Sequence, residues 1–115
     1  MSATAMGPRA YSFLLSEAPG TLSREEVTIL SGETLTAGTV LGKISASGKY
    51  VAYDDGATDG SEVAAAILTA DVDASAGDQL ATVIARLAEV DENKLVGADA
   101  NGIADLAANL IIARA

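Results

Sequence analysis

The chain of 115 residues contains no cysteine and no histidine, and these two absences narrow its possible chemistry. They exclude thiol nucleophiles, disulfides, imidazole bases and the usual zinc or iron–sulfur ligand sets. Tryptophan is also absent, and the aromatic residues are three tyrosines and one phenylalanine. Half of the residues are nevertheless apolar, and 24 are alanine. We therefore expect one ordered domain whose core consists of small aliphatic side chains.

Positive charge is scarce as well. Seven basic residues stand against sixteen acidic ones, which gives a net charge of −9. Nucleic-acid binding needs clustered lysine and arginine, so the composition disfavours a DNA or RNA partner. No apolar run approaches the roughly 18 residues of a membrane span, and the N-terminus has no secretory h-region, so we expect no membrane partner. The lack of disulfides favours synthesis in a reducing cytoplasm.

The two prolines, Pro8 and Pro19, both lie in the first twenty residues, and each is adjacent to a glycine. The segment between them shows the period-2 alternation that is typical of a strand. Its alternating residues are Tyr11, Ser12, Phe13, Leu14 and Leu15. This pattern predicts an N-terminal arm, residues 1–19, that forms a strand against a partner, followed by a domain of residues 20–115. The alternative interpretation is a frayed terminus.

Short strands and turns are predicted for the first half of the domain. Ser23 and Glu26 have the spacing of a capping box, which indicates a short capped turn. The Ser47-Gly48 pair predicts a hairpin turn, and the strand after it places Tyr50 and Tyr53 on opposite faces.

The second half of the domain is predicted to mix strand and helix. Residues 63–68 form an apolar run typical of a strand buried on both faces. Residues 80–90 are ambiguous, because their apolar spacing fits a helix but part of the segment also alternates; periodicity alone predicts a helix. A further helix is predicted to begin near Asp99 or Asn101 and to end near Leu110, with a closing strand after it.

The acidic turns at residues 54–61 and 71–78 suggest a calcium site, but the spacing of their residues does not match that of an EF-hand loop. In an EF-hand loop that begins at Asp55, Ala66 stands where the closing glutamate belongs, and in one that begins at Asp71, that place is taken by Thr82. The nearby carboxylates Asp71 and Asp73 lie in a polar loop, where nothing would raise one pKa selectively for acid–base catalysis. We therefore predict no metal site, no cofactor and no catalytic residue, and hence no enzyme.

Several segments, in matching order and spacing, resemble the head decoration proteins of tailed bacteriophages, the family of the lambda capsid-stabilising protein. The resemblance covers about residues 12 to 115. The segments that carry it are LSREEVTI, AGTVLGKI, SGKY, DGSEVAAAIL, DVDA and the terminal LAANLIIARA.

This resemblance implies an α+β fold: a small, β-rich mixed sheet or barrel-like domain with one or two short helices and a flexible N-terminal arm. It also implies that residues 80–90 are mainly strand, against the prediction from periodicity, and we adopt the strand. The implied function is structural: a homotrimer on the outer surface of the expanded capsid, at three-fold and quasi-three-fold sites, that stabilises the virion against internal DNA pressure. The implied partner is the major capsid protein, and the predicted binding residues are those of the arm, Tyr11 to Leu15.

A second hypothesis is a small carrier or ligand-binding barrel, because AGTVLGKI also resembles the glycine-framed strand of lipoyl and biotinyl carriers. Lys49 lies near the predicted hairpin turn, but Gly48 and Tyr50 do not supply the motif that flanks a modified lysine in those proteins.

Intact-mass measurement separates these two hypotheses. A decoration protein is expected to have the mass of its unmodified chain, 11.5 kDa. An added lipoyl or biotinyl mass that maps to Lys43 or Lys49 would favour the carrier instead.

Overall fold

The computed structural model describes residues 13–17 and 23–114. Within them the chain forms ten short strands, a 3₁₀ turn at Glu92–Lys94 and one helix, α1, at Ala100–Ala108. The strands are β1 (Leu14–Glu17), β2 (Arg24–Ile29), β3 (Thr34–Leu35), β4 (Val40–Lys43), β5 (Tyr50–Ala52), β6 (Ala64–Leu68), β7 (Val72–Asp73), β8 (Gln79–Ile84), β9 (Ala88–Asp91) and β10 (Ile111–Arg114).

Five of these strands close into a small barrel in the order β2-β5-β4-β6-β8. Its longest seam is the antiparallel pairing of β2 with β8, from Arg24 opposite Ile84 to Ile29 opposite Gln79. Apolar side chains of alternate residues point inwards and form the first core, which includes Val27, Ile29, Leu41, Leu68 and Val83. The interior is therefore filled by aliphatic side chains.

A second layer packs against the outside of the barrel. It consists of the sheet β1-β9-β10, in which β9 pairs antiparallel with β1 and parallel with β10, together with α1. A second core fills the space between the layers and includes Phe13, Ile67, Ile84, Leu106 and Ile111. The β1-β9-β10 sheet is thus held to the barrel by a continuous apolar contact.

The predicted fold class is confirmed, since the described chain is β-rich, contains a closed barrel and has one short helix. The hairpin is also confirmed: β4 and β5 are antiparallel, with Lys43 opposite Tyr50. Tyr50 packs in the barrel core and Tyr53 in the second core, as the predicted alternation requires. Helix α1 begins after Asp99, whose side chain accepts the Gly102 N–H.

Two predictions from local spacing are wrong. Residues 80–90 are strands β8 and β9, as the family resemblance implied, and not the helix that periodicity predicted, because pairing of β8 with β2 outweighs local propensity. Ser23 and Glu26 do not form a capped turn. The buried Ser23 hydroxyl donates instead to the Leu87 carbonyl (2.8 Å), and Glu26 lies inside β2.

Gly42 provides a test of how closely β4 approaches the loop before β6. A Cβ atom at Gly42 would lie 2.6 Å from the Cα atom of Ser61, which is backbone and cannot rotate away. We expect Gly42→Ala to lower the free energy of unfolding by about 1–3 kcal/mol through overpacking. Gly77→Ala is the matched control, because no atom lies within 4 Å of the added methyl. Urea unfolding measures both; equal midpoints for the two variants would contradict the close approach.

Candidate functional site

Strand β1 lies at an edge of its sheet. Within the described part of the chain it pairs only with β9, from Leu14 opposite Val90 to Glu17 opposite Ala88, with an irregularity between Leu14 and Ser16. The unpaired edge of a strand presents backbone N–H and C=O groups that a strand from another chain can bind. β1 is therefore the candidate binding element.

The side chains around β1 divide into two roles. Phe13 is fully buried in the second core, and its carbonyl accepts the Asp91 N–H (2.7 Å). Leu14 packs against the same core, whereas Leu15 is 53% exposed. In this arrangement Leu15 can reach a partner directly, and Phe13 fastens the strand to the domain.

The predicted arm residues Tyr11 and Ser12 lie outside the described residues, so their contacts stay a prediction. The capsid-binding role of the five predicted residues, Tyr11 to Leu15, also stays a prediction. The boundary predicted between residues 19 and 20 also lies outside the described residues. Residues 13–17, which that division assigns to the arm, are packed on the domain.

An ion pair links the end of β1 to the start of β2. The Arg24 guanidinium donates to both carboxylate oxygens of Glu17, from Nε at 2.9 Å and from Nη2 at 2.6 Å. This two-point geometry fixes the relative orientation of the strands more than a single contact would. Both side chains are partly exposed, so the pair directs geometry more than it adds stability.

The outer face of the β1-β9-β10 sheet carries a charge-balanced pair beside the exposed Ile112 and Leu15. Arg114 Nη2 donates to Glu89 Oε2 (3.0 Å). This hydrogen bond and the positive charge of Arg114 hold the pKa of Glu89 below its ordinary value, with a smaller contribution from a hydrogen bond to Ser16. A partner that meets this face therefore meets paired charges.

The acidic turns use their carboxylates to hold their own backbone. Asp54 accepts the Gly56 N–H, and Asp59 and Asp73 accept the N–H groups of Ser61 and Ser75, each two residues further on. Hydrogen bonds from Ser61 and Ser75 lower the pKa of Asp59 and Asp73. In the part of the chain that the structure describes, no group of three or more acidic residues is placed to hold a metal ion.

Lys49, the residue considered for covalent modification, is engaged in an ion pair. It directly precedes β5, and its ammonium lies 2.7 Å from the Asp78 carboxylate. Asp78 also accepts the Ser31 N–H (2.9 Å), so this lysine takes part in joining three turns.

Hydrogen bonds through Asp99 connect Tyr53, next to barrel strand β5, to the start of helix α1. The Tyr53 hydroxyl donates to Asp99 Oδ1 (2.9 Å), which also accepts the Gly102 N–H (2.7 Å). Burial, reinforced by the hydrogen bond to Asp99, raises the pKa of Tyr53. The Gly102 N–H and the Tyr53 hydroxyl lower the pKa of Asp99. Both shifts lead away from neutral pH, so the pair is suited to holding the fold and not to transferring protons.

The comparison with protein families decides the assignment. A family model described as bacteriophage lambda head decoration protein D matches residues 3–111. The chain belongs to this family. Its members are structural proteins of the phage head, which supports a head decoration role and a place on the capsid surface of the virion. A search of curated proteins found no match.

The family match covers β1 and the residues before it back to residue 3. Among the described residues no helix has the length and hydropathy needed to span a membrane.

Sequence reasoning found the segment that contains β1 but missed the burial of Phe13. A signal was present, because Phe13 is the only phenylalanine of the chain and large apolar residues of this type are usually buried.

Substitutions at the two apolar positions on either side of Leu14 test the division of roles around β1. Phe13→Ala leaves a cavity in the second core and is expected to lower the free energy of unfolding by about 3–5 kcal/mol. Leu15→Ala removes an exposed side chain and should change it by less than about 0.5 kcal/mol. Chemical denaturation measures both. Similar losses for the two variants would show that Phe13 is not a core residue.

The tie between Tyr53 and Asp99 predicts a pH dependence of stability. Because the pKa of Asp99 is lowered in the folded chain, its contribution is present above the unfolded value of about 3.8 and is lost as pH falls through the lower folded value. Asp99→Asn should therefore be less stable than wild type at neutral pH, and the difference should shrink below about pH 4. Thermal unfolding across pH measures this; a constant difference would contradict it.

Proposed function

We propose that this protein is a capsid-cementing head decoration protein. It binds the major capsid protein on the outer surface of the expanded shell as a trimer, at three-fold and quasi-three-fold sites, and it stabilises the shell against internal DNA pressure. The observation that carries this proposal is the family match over residues 3–111. The open edge of β1 adds a physical route for the contact.

The proposed contact is strand addition. The residues before Phe13 and the unpaired edge of β1 add to an exposed sheet edge of the major capsid protein, and main-chain hydrogen bonds provide the affinity. Leu15, and Tyr11 from the segment before it, provide apolar contacts. Because Phe13 is buried in the second core, a force applied to the arm by the shell acts on the packed domain and not on the arm alone.

The energetics favour several arms acting together. Burying one apolar side chain contributes roughly 1.5–3 kcal/mol. Ordering a free backbone costs about 1–2 kcal/mol per residue, so a long free arm gains little by itself. Residues 14–17 are already ordered in β1, which removes that cost for the contact nearest the domain. In a trimer the first contact raises the effective concentration of the other two arms, so three weak contacts hold firmly.

The charge of the chain suits an outer position. A net charge of −9 keeps the protein soluble and away from DNA packed inside the shell. The capsid surface that it meets should then be neutral or basic.

Co-sedimentation with shells of the phage that encodes the protein tests the proposal. Expanded and unexpanded shells are mixed with full-length protein and with a variant that lacks residues 1–12. This deletion is preferable to removal of residues 1–19, because it keeps Phe13 in the core and leaves β1 paired. We expect saturable binding of the full-length chain to expanded shells alone, and binding at least tenfold weaker for the deletion variant.

Single substitutions locate the contact in the same assay. Leu15→Ala should weaken shell binding, whereas Leu80→Ala, which removes another exposed leucine from the far end of β8, should not. Failure of the full-length protein to bind either shell would reject the cementing role. Binding that is unchanged by both the deletion and Leu15→Ala would reject the strand-addition mechanism and leave the role itself standing.

A further inference from the structure

Asn101 and Gly102 form the one Asn-Gly pair of the chain, and they lie in the first turn of helix α1. This dipeptide is prone to spontaneous deamidation, because a glycine has no side chain that shields its backbone nitrogen. The Asn101 side chain is exposed, so water reaches its amide. The proposed capsid contact does not use this pair.

The packing around Gly102 favours a glycine at this position. A Cβ atom there would lie 3.0 Å from Cε2 of the Tyr53 ring and 3.3 Å from Oδ1 of Asp99. Tyr53 is buried in the second core, so its ring has little room to move away. The close contact between α1 and Tyr53 therefore brings the reactive dipeptide with it.

Three features of the fold oppose the reaction. The Gly102 N–H donates to Asp99 Oδ1 (2.7 Å), so its nitrogen is not free to act as a nucleophile. The Asn101 amide donates from Nδ2 to Asp55 Oδ2 (3.1 Å), which holds the side chain against a neighbouring turn. A helical backbone has ψ of about −42°, whereas ring closure needs the following nitrogen rotated towards the side-chain carbon.

These restraints act only while the first turn of α1 is closed. Helix ends open more readily than the middle of a helix or a core strand. Closure of this turn depends on Asp99, whose carboxylate caps the helix and also accepts the Tyr53 hydroxyl (2.9 Å). Opening of the turn therefore frees the Gly102 nitrogen and the backbone of Asn101 together.

We propose that Asn101 is a deamidation site that the Asp99 cap holds closed, so that its conversion follows the opening of the first turn of α1. In the open turn the Gly102 nitrogen attacks Cγ of Asn101. The bond from Cγ to the amide nitrogen breaks, and ammonia leaves with the proton that the Gly102 nitrogen gives up through solvent. Water then adds across one of the two C–N bonds of the cyclic imide, which yields aspartate or isoaspartate.

The isoaspartate product makes the opening hard to reverse. It adds one methylene to the main chain in the first turn of α1 and shifts the Gly102 N–H away from its acceptor. Helix α1 also contributes Leu106 to the second core, which includes Phe13. Isoaspartate formation therefore weakens, in one direction only, the packing that holds β1.

Timed incubation of the full-length protein at mildly alkaline pH, folded and in urea, tests the inference. Peptide mapping by mass spectrometry measures the conversion of each asparagine from the mass difference between an amide and an acid. Asn93 and Asn109 are internal controls, because lysine and leucine follow them. We expect Asn101 to convert fastest of the three in urea, and to convert slower by about tenfold or more in the folded chain.

Substitutions test the role of the cap in the folded chain. Asp99→Ala removes the cap and should speed conversion at Asn101 roughly fivefold. Asp73→Ala is the matched control, because it removes a carboxylate that accepts a backbone N–H in the turn after β7, and it should leave the rate unchanged. Tyr53→Phe keeps the ring but removes the hydroxyl that holds Asp99, so it should also speed conversion, and it serves as the test where Asp99→Ala does not fold.

Equal rates at Asn101 in the folded chain and in urea would overturn the inference, as would a rate in urea no higher than at Asn93 and Asn109. Wild-type rates in both Asp99→Ala and Tyr53→Phe would also overturn it. Equal acceleration in Asp73→Ala would show that the rate follows overall stability and not the cap. None of these measurements uses capsid shells, so the inference and the proposed function fail independently.

Discussion

The constraint on which the rest of the fold depends is that strands β6 and β8 each serve two cores. Val83 points into the barrel, and the next residue, Ile84, points out into the second core. Ile67 and Leu68 divide in the same way on β6. Because successive side chains of a strand point to opposite faces, a shift of one residue in either strand would empty both cores together. The barrel and the β1-β9-β10 layer are therefore specified by the same register.

This shared packing determines how the candidate binding element is mounted. Phe13, directly before β1, packs in the second core, and the outer edge of β1 is unpaired within the described residues. A strand held through a buried side chain is stiff, and its edge can accept another strand at little further ordering cost. The buried side chain of Phe13 thus makes this short segment rigid, and the unpaired edge of β1 leaves its backbone groups available for pairing. This arrangement suits the strand addition that we propose.

Charge is distributed to match these two kinds of contact. Arginine–glutamate pairs lie around β1, β9 and β10 and between β2 and the turn after β8, whereas the turns at residues 54–61 and 71–78 carry carboxylates that hold their own backbone. Association of chains that each carry −9 is opposed by repulsion, so the balanced surfaces are where neighbours can approach. Most residues of the acidic turns are exposed, so their carboxylates are solvated.

The sequence by itself determined the β-rich class, the hairpin at Ser47-Gly48, the Asp99-capped helix and, through ordered motifs, the family, because turn residues, caps and alternation are local signals. Other features needed the tertiary structure. The strands at residues 80–90 were predicted from the family resemblance, but their helical spacing gave no reason for them; that reason is the pairing of β8 with β2, 50 to 60 residues away in the chain. The burial of Phe13, the tie of Tyr53 to Asp99 and the meeting of Leu87 with Leu110 all join distant segments. Such contacts depend on which surfaces meet in the fold, and local patterns carry no information about that.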